Sequence, residues 1–375
     1  MIKKEIFLTL EMKNEFENFH TDSHKNLKPS LDAYMYFPSK EEVIEFDENN
    51  PRESYRRIFD GSIQFNYFEE TILKDLKEFI EKFNKKQLKK NLPKLPDLKN
   101  NELLRFLYSS KFDLPKAIDL TVTNSDWRKV SLPCKLTNKM MEILNIGLIY
   151  IHGRDCRFRP IINISCKVFE NHKEVYALKE IESATIYLLE YIKDFLFIPG
   201  QVENWTVVID LKDVYLTSVP NELQKIITLL QINYPCRLFM LYIINISGNL
   251  DFLWSSIKPL LSVNTQRKIK LLKSSNLHEV FTFINPLHLE QKLGGRANNM
   301  TSIFFPGYIP NHECLLQGEK KSNIILDYDS YKNLLKTKTK VAICPILETL
   351  SENNESDADS DSDEFKKYLQ DNGKF

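Results

Sequence analysis

The chain has 375 residues, 42% of them hydrophobic, enough for one large domain with its own core and extensions on either side. Its 51 Lys and Arg are balanced by 51 Asp and Glu, and no apolar run reaches the roughly 18–20 residues of a membrane span. The opening M-I-K-K-E-I-F-L-T-L-E-M-K meets charge too soon for a secretory signal, and Cys134, Cys156, Cys166, Cys236, Cys314 and Cys344 form no C-x-x-C pair. A soluble cytoplasmic protein with reduced thiols is expected, without nucleic acid as a partner.

Residues 1–66 read as an N-terminal extension. Phe7, Phe16, Phe19, Tyr34, Tyr36 and Phe37 are too many aromatics for a plain tail, so part of it is expected to pack on the domain. His20 and His24 have helical metal spacing but no third ligand nearby, and no metal site is expected. From Phe68 to Leu88 an amphipathic helix is predicted, with Ile72, Leu76, Phe79, Ile80 and Phe83 on one side and lysines around the rest. Such a helix can lie on a membrane, but packing its stripe on a neighbour is the favoured reading. N-L-P-K-L-P at 91–96 ends it. Leu103, Leu104 and Leu107 mark a short helix, and Asp113 caps another that has Pro115 in its first turn.

Residues 147–167 read as two strands around the charged turn Arg154, Asp155, Arg157 and Arg159. A long helix follows over 175–197, with Leu178, Ile181, Thr185, Leu188, Leu189 and Ile192 on one face, and Pro199 and Gly200 stop it. Continuous apolar runs at 206–209 and 238–246 have the look of strands covered on both faces. Between them Leu223, Ile226, Ile227 and Leu230 share a helical face. Leu250, Leu253, Trp254, Ile257 and Leu261 share another before a short strand at 268–272. Strand and helix alternating in this way argue for an α/β protein with parallel pairing. Phe304, Phe305 and Pro306 suggest a further strand or docked loop. Residues 351–364 carry seven acids and no base, leaving 51 bases against 44 acids elsewhere. That tail is expected to be disordered, and the mildly basic remainder suits transient contact with an anionic membrane surface.

No G-x-G-x-x-G follows a strand, and no P-loop, G-x-S-x-G or H-E-x-x-H is present. Asp210 ends a predicted strand with no partner His or acidic cluster beside it in sequence. No catalytic residues, metal or cofactor are expected.

The motifs V-V-I-D-L-K at 207–212, Y-P-C-R-L at 234–238, Y-I-I-N at 242–245, L-W-S-S-I-K-P-L-L at 253–261, T-Q-R-K-I at 265–269 and L-G-G at 293–295 occur in one order and spacing. In these the chain resembles the CRAL-TRIO family of lipid-binding domains, of the phosphatidylinositol/phosphatidylcholine transfer type. The resemblance covers roughly 98–297. It implies a small helical N-terminal lobe (67–135), then a lipid-binding domain (136–300) with a mixed, mainly parallel sheet, helices on one face and a lipid pocket under a gating helix. A C-terminal extension (301–350) and the acidic tail (351–375) follow.

The resemblance further implies a non-enzymatic protein that carries one phospholipid, phosphatidylinositol as the first guess, and exchanges it during transient membrane contact. The alternative is a membrane-recruited scaffold that has lost ligand selectivity. The implied pocket residues are Trp205, Val207, Ile209, Phe239, Leu241 and Ile243. The headgroup would meet Thr265, Lys268, Cys236 and Leu211. Leu250, Leu253, Trp254, Ile257 and Leu261 would form the gate, flexing near Gly248, Asn249 and Pro259. Asp155, Arg237 and Gly295 would brace it. Five positions depart from the family's pattern: Cys236 replaces its headgroup Glu, Trp205 and Val207 replace small polar residues in some members, and Phe158 and Asp213 stand where it has glycines.

Overall fold

The computed structural model describes residues 27–61, 63–214, 221–246 and 250–316. The acidic tail, Cys344, the His20/His24 pair, Gly248, Asn249 and the side chains of Leu250 and Leu253 lie outside the described residues. Pro29–Phe37 falls in a separate compact unit. Its helix Leu31–Met35 is capped by Ser30, whose hydroxyl accepts from the Ala33 N–H at 3.3 Å.

In the main unit a two-stranded antiparallel hairpin comes first, β1 (Ile44–Glu45) with β2 (Tyr55–Arg56). Helix α1 (Tyr67–Lys89) begins in a capping box in which Asn66 and Glu69 each receive the other's backbone N–H. Helices α2 (Asn100–Ser109) and α3 (Leu114–Ser131) pack against it, with α3 capped by Asp113. Leu73, Leu76, Leu104, Leu107, Ala117 and Ile118 form their common core. Helix α4 (Asn138–Asn145) leads into the sheet.

The sheet runs β3 (Ile149–Arg154), β4 (Pro160–Ser165), β5 (Trp205–Asp210), β6 (Leu238–Ile244) and β7 (Ile269–Leu271), in that spatial order. The β3–β4 pair is antiparallel, and every later pair is parallel. Parallel neighbours need crossovers, and the helices supply them. Helices α5 (Cys166–His172) and α6 (Leu178–Tyr191) link β4 to β5, α7 (Asn221–Asn233) links β5 to β6, and α8 (Leu250–Ile257) and α9 (Val263–Gln266) link β6 to β7. Three boundaries differ from the sequence expectation. The long helix starts at Leu178 and passes into a π turn at Ile192–Leu196, while Cys166, expected in a strand, opens a helix capped by Ser165. The α8 helix stops at Ile257, and Pro259, which has no N–H to give, sits in a tighter turn over Lys258–Leu260.

One face of the sheet is sealed by the short turns after β7. Ile161, Val208, Tyr242 and Ile244 pack there against Val280, Ile284, Leu289 and Leu293. Phe304 and Phe305 are buried as a docked loop, and the Tyr308 N–H donates to the Ile151 carbonyl at 3.0 Å. His288 in this layer is held neutral by burial, its pKa pushed down to about 4. Its Nδ1 accepts from the Arg154 N–H at 3.2 Å, and its Nε2 lies 2.8 Å from the His312 carbonyl. No helix among the described residues is long and apolar enough to cross a membrane.

Candidate functional site

The two faces of the sheet are covered unequally. On the sealed face Val208, Tyr242 and Ile244 are 0%, 1% and 0% exposed. On the opposite face Val207, Ile209, Leu241, Ile269 and Leu271, on β5 to β7, are half-buried, while Ile243 and, toward the β3 edge, Ile162 and Ile151 are covered. The register places these side chains in two adjacent rows across three strands, Val207 beside Leu241 and Ile269, Ile209 beside Ile243 and Leu271. Aliphatic chains in the interior of a sheet are ordinarily closed off by the next layer, so this face is accessible where it should be sealed. The elements above it are α7, through Ile227, the end of α8, through Ile257, and the turn after α8, through Leu260 and Leu261. Trp254 is half-buried, and Phe252 on α8 is 56% exposed.

Phe239, expected on this face, is placed elsewhere, and Trp205 at the start of β5 is packed among aromatic rings. A bulge pairs Trp205 with Leu238 but Thr206 with Met240, so β6 gains one residue and Phe239 leaves the alternation. Its ring meets Phe283 edge-on at 5.1 Å and lies 3.6 Å under the Arg159 guanidinium. Trp205 stacks on Phe197 at 5.7 Å and meets Tyr234 at 5.8 Å. Val207, Ile209, Leu241 and Ile243 remain together.

The expected headgroup residues also divide. Thr265 and Lys268 share the turn before β7. The Thr265 hydroxyl lies 2.8 Å from that of Ser262, and the Lys268 ammonium donates to the Leu238 carbonyl at 2.6 Å and sits 4.4 Å from the Tyr55 ring. Cys236 faces the helical lobe, its thiol donating to the Arg105 carbonyl at 3.7 Å. Leu211 follows the far end of β5, buried with Val214 and Ile246, about 20 Å along the strands from the Cys236 end. Its place within D-L-K in sequence does not bring it to the cations.

Beside Lys268 opens a cleft of about 450 Å³, lined by the N-terminal hairpin as well as by the sheet. Arg57, Arg157, Arg159, Arg267 and Lys268 line it together with Glu41, Glu42, Glu45 and Glu53. Glu45 pairs with Arg57 at 2.8 Å and Glu53 with Arg267 at 3.3 Å, while Glu42 pairs with Arg157. Sequence reasoning missed this cleft because its cations come from three distant segments. The mixed run E-E-V-I-E-F followed by R-E-S-Y-R-R was the available hint of a charged hairpin.

Asp155, Arg237 and Gly295 do not form one network. Asp155 is fully buried and accepts from the Arg157 and Arg159 N–H groups at 2.9 and 3.0 Å and from the Thr206 hydroxyl at 2.9 Å, which fixes the β3–β4 turn. Arg237 donates to the Glu203 carbonyl at 3.1 Å, and burial, then the neighbouring Arg105, push its pKa down to about 10. Glu203 is bound by Arg105 and accepts from the Phe59, Asp60 and Gly200 N–H groups at 2.9, 2.8 and 2.9 Å. Burial raises the Asp60 carboxyl, but Arg105 and Arg237 outweigh it and hold its pKa below the ordinary value. Gly295 stands where a Cβ would lie 1.9 Å from the Leu289 carbonyl oxygen, a close approach that only glycine permits. Separate partners explain the separation: each residue is fixed by its own turn. Among the described residues no His, Cys, Asp and Glu cluster could hold a metal ion.

Residues 144–295 match the model of the CRAL/TRIO domain. Among curated proteins, Patellin-6 of Arabidopsis thaliana is 26% identical over 237 residues, covering 60% of this chain and 58% of that protein. Phosphatidylinositol/phosphatidylcholine transfer protein SFH4 of the same plant is 25% identical over 216 residues, 52% of this chain and 34% of that one. SEC14 cytosolic factor of Yarrowia lipolytica is 25% identical over 218 residues, 54% and 44%. The matches therefore span 58% or less of these relatives' own lengths. The crystal structure of Sfh5 aligns with 73% of this chain and 99% of its own at 15% identity, with a TM-score of 0.48.

Proposed function

Because residues 144–295 match the model of the CRAL/TRIO domain, we propose that this chain is a non-enzymatic carrier that holds one phospholipid and exchanges it at membranes from the cytoplasm. The observation that carries the reading is the half-buried aliphatic face of Val207, Ile209, Leu241, Ile269 and Leu271. Acyl chains laid on it gain about 0.8 kcal/mol for each CH₂ removed from water, so a covered lipid stays bound until a bilayer offers the same apolar phase. Helix α8 is the gate. Swinging it outward turns Ile257 and its apolar neighbours toward acyl chains rather than water, which lowers the cost of exposing them. Lys268 and Thr265 are the donors for the lipid phosphate, phosphatidylinositol being the first choice. Cys236, a feeble acceptor in place of a carboxylate, leaves recognition of the inositol hydroxyls to other groups.

Transfer between donor and acceptor vesicles tests this. The wild-type chain is expected to move phosphatidylinositol and phosphatidylcholine, and Lys268→Ala to reduce phosphatidylinositol transfer about tenfold while affecting phosphatidylcholine less. Equal losses for both lipids would remove the headgroup assignment. A second reading, a membrane-recruited scaffold, draws on the engagement of Lys268 by Leu238 and Tyr55. It predicts vesicle binding without transfer of either lipid.

A further inference from the structure

The second half of α1 and the loop after it carry no acid from Lys82 to Pro96 but six lysines, Lys82, Lys85, Lys86, Lys89, Lys90 and Lys94. All six are exposed, and none makes an ion pair among the described residues. The first half of the helix is spent on the core, with Ile72, Leu73 and Leu76 buried. The second half and the loop after it have Leu88 at 52% and Leu92 at 49% exposure among the lysines.

The local backbone holds those leucines outward. The Leu92 N–H donates to the Gln87 carbonyl at 3.0 Å and the Asn91 N–H to the Leu88 carbonyl at 3.1 Å, with Asn91 at φ 55. That is the left-handed helix ending in which the residue after the turn usually packs on an apolar side chain one turn back. Here the residues one turn back are Lys86 and Gln87, so Leu92 has no apolar seat on the helix. The Leu95 N–H donates to the Asn84 side chain at 2.9 Å and ties the loop down in this shape.

We propose that this lysine and leucine surface is a docking site for the leaflet of an anionic bilayer. The cations complement phosphatidylserine-type or phosphorylated headgroups, and Leu88 and Leu92 enter the boundary between headgroups and chains. The inference rests on the carrier reading for the nature of its partner, and it adds a membrane contact on the helical lobe, independent of the gate.

The test is flotation of the full chain with vesicles of phosphatidylcholine alone and of phosphatidylcholine containing about a third phosphatidylserine, at low and high salt. Wild type is expected to prefer the anionic vesicles by at least about tenfold and to lose that preference in high salt. The combined Lys85→Gln, Lys86→Gln, Lys89→Gln and Lys90→Gln variant is expected to lose the preference, and Leu88→Ser with Leu92→Ser to weaken binding several-fold, with unchanged thermal unfolding. Transfer between pure phosphatidylcholine vesicles is measured on the same samples and is expected to be unaltered by either variant. An unimpaired quadruple-lysine variant overturns the proposal, and so does single-stranded RNA that binds the wild type as tightly as the anionic vesicles at the same salt. Loss of transfer with vesicle docking intact would sink the carrier reading and leave this surface standing.

Discussion

Phe158 and Asp213, which occupy positions where the resembling family has glycines, keep the backbone that glycine would have: φ is 60 at Phe158 and 58 at Asp213. A left-handed φ costs an ordinary L-residue roughly 1–2 kcal/mol, and less for Asp, which visits this region more readily. Phe158 accepts that strain in a buried turn where its carbonyl receives the Arg154 guanidinium at 2.7 Å. Asp213 is exposed, so its side chain gives up little if replaced. Asp213→Gly is therefore expected to leave stability within about 0.5 kcal/mol of wild type, whereas Asp213→Val lowers it by about 1–2 kcal/mol in urea unfolding. Equal effects of the two substitutions would show that the turn imposes no backbone demand. These positions were legible because a motif can be checked for a missing glycine. The environment of Cys236 was not, since its motif says nothing about the helical lobe that its thiol meets.

At the scale of elements, β5 and β6 were readable because a strand covered on both faces writes a continuous apolar run. The bulge that moves Phe239 was not readable, because one added residue leaves no mark in such a run. The N-terminal hairpin was hidden for a different reason: two-residue strands have no period. It is joined to α1 by a buried ion pair in which Arg56 donates twice to Glu69, both at 2.6 Å, with the Tyr108 hydroxyl donating to the same carboxylate at 2.7 Å. Arg56 is 1% and Glu69 0% exposed. Removing one charge strands the other in the interior, so Glu69→Gln is expected to destabilise the chain by about 3 kcal/mol. Hydrogen exchange should then show the hairpin residues 44–56 losing protection first. Unchanged protection there would mean that the hairpin is held by its other contacts, such as those of Glu203 with Phe59 and Asp60.

For the molecule as a whole, one sheet is finished by tight turns on one side and left half-covered on the other, and in the proposed carrier the helices that cross over it would be the cover that moves. The order of strands and helices followed from periodicity, and the expectation of a lipid pocket came only from family resemblance. Exposure of aliphatic side chains depends on what lies above them, which no local pattern records. Thr265 and Lys268 come together because they are three residues apart in one turn, whereas Leu211 lies at the opposite end of the sheet. Native mass spectrometry of the full chain, purified without added lipid, tests the central claim most directly. A carrier with this open apolar face is expected to retain one phospholipid per chain, seen as a mass increment released on collisional activation. Bare polypeptide alone, from chain that is folded by circular dichroism, would contradict it.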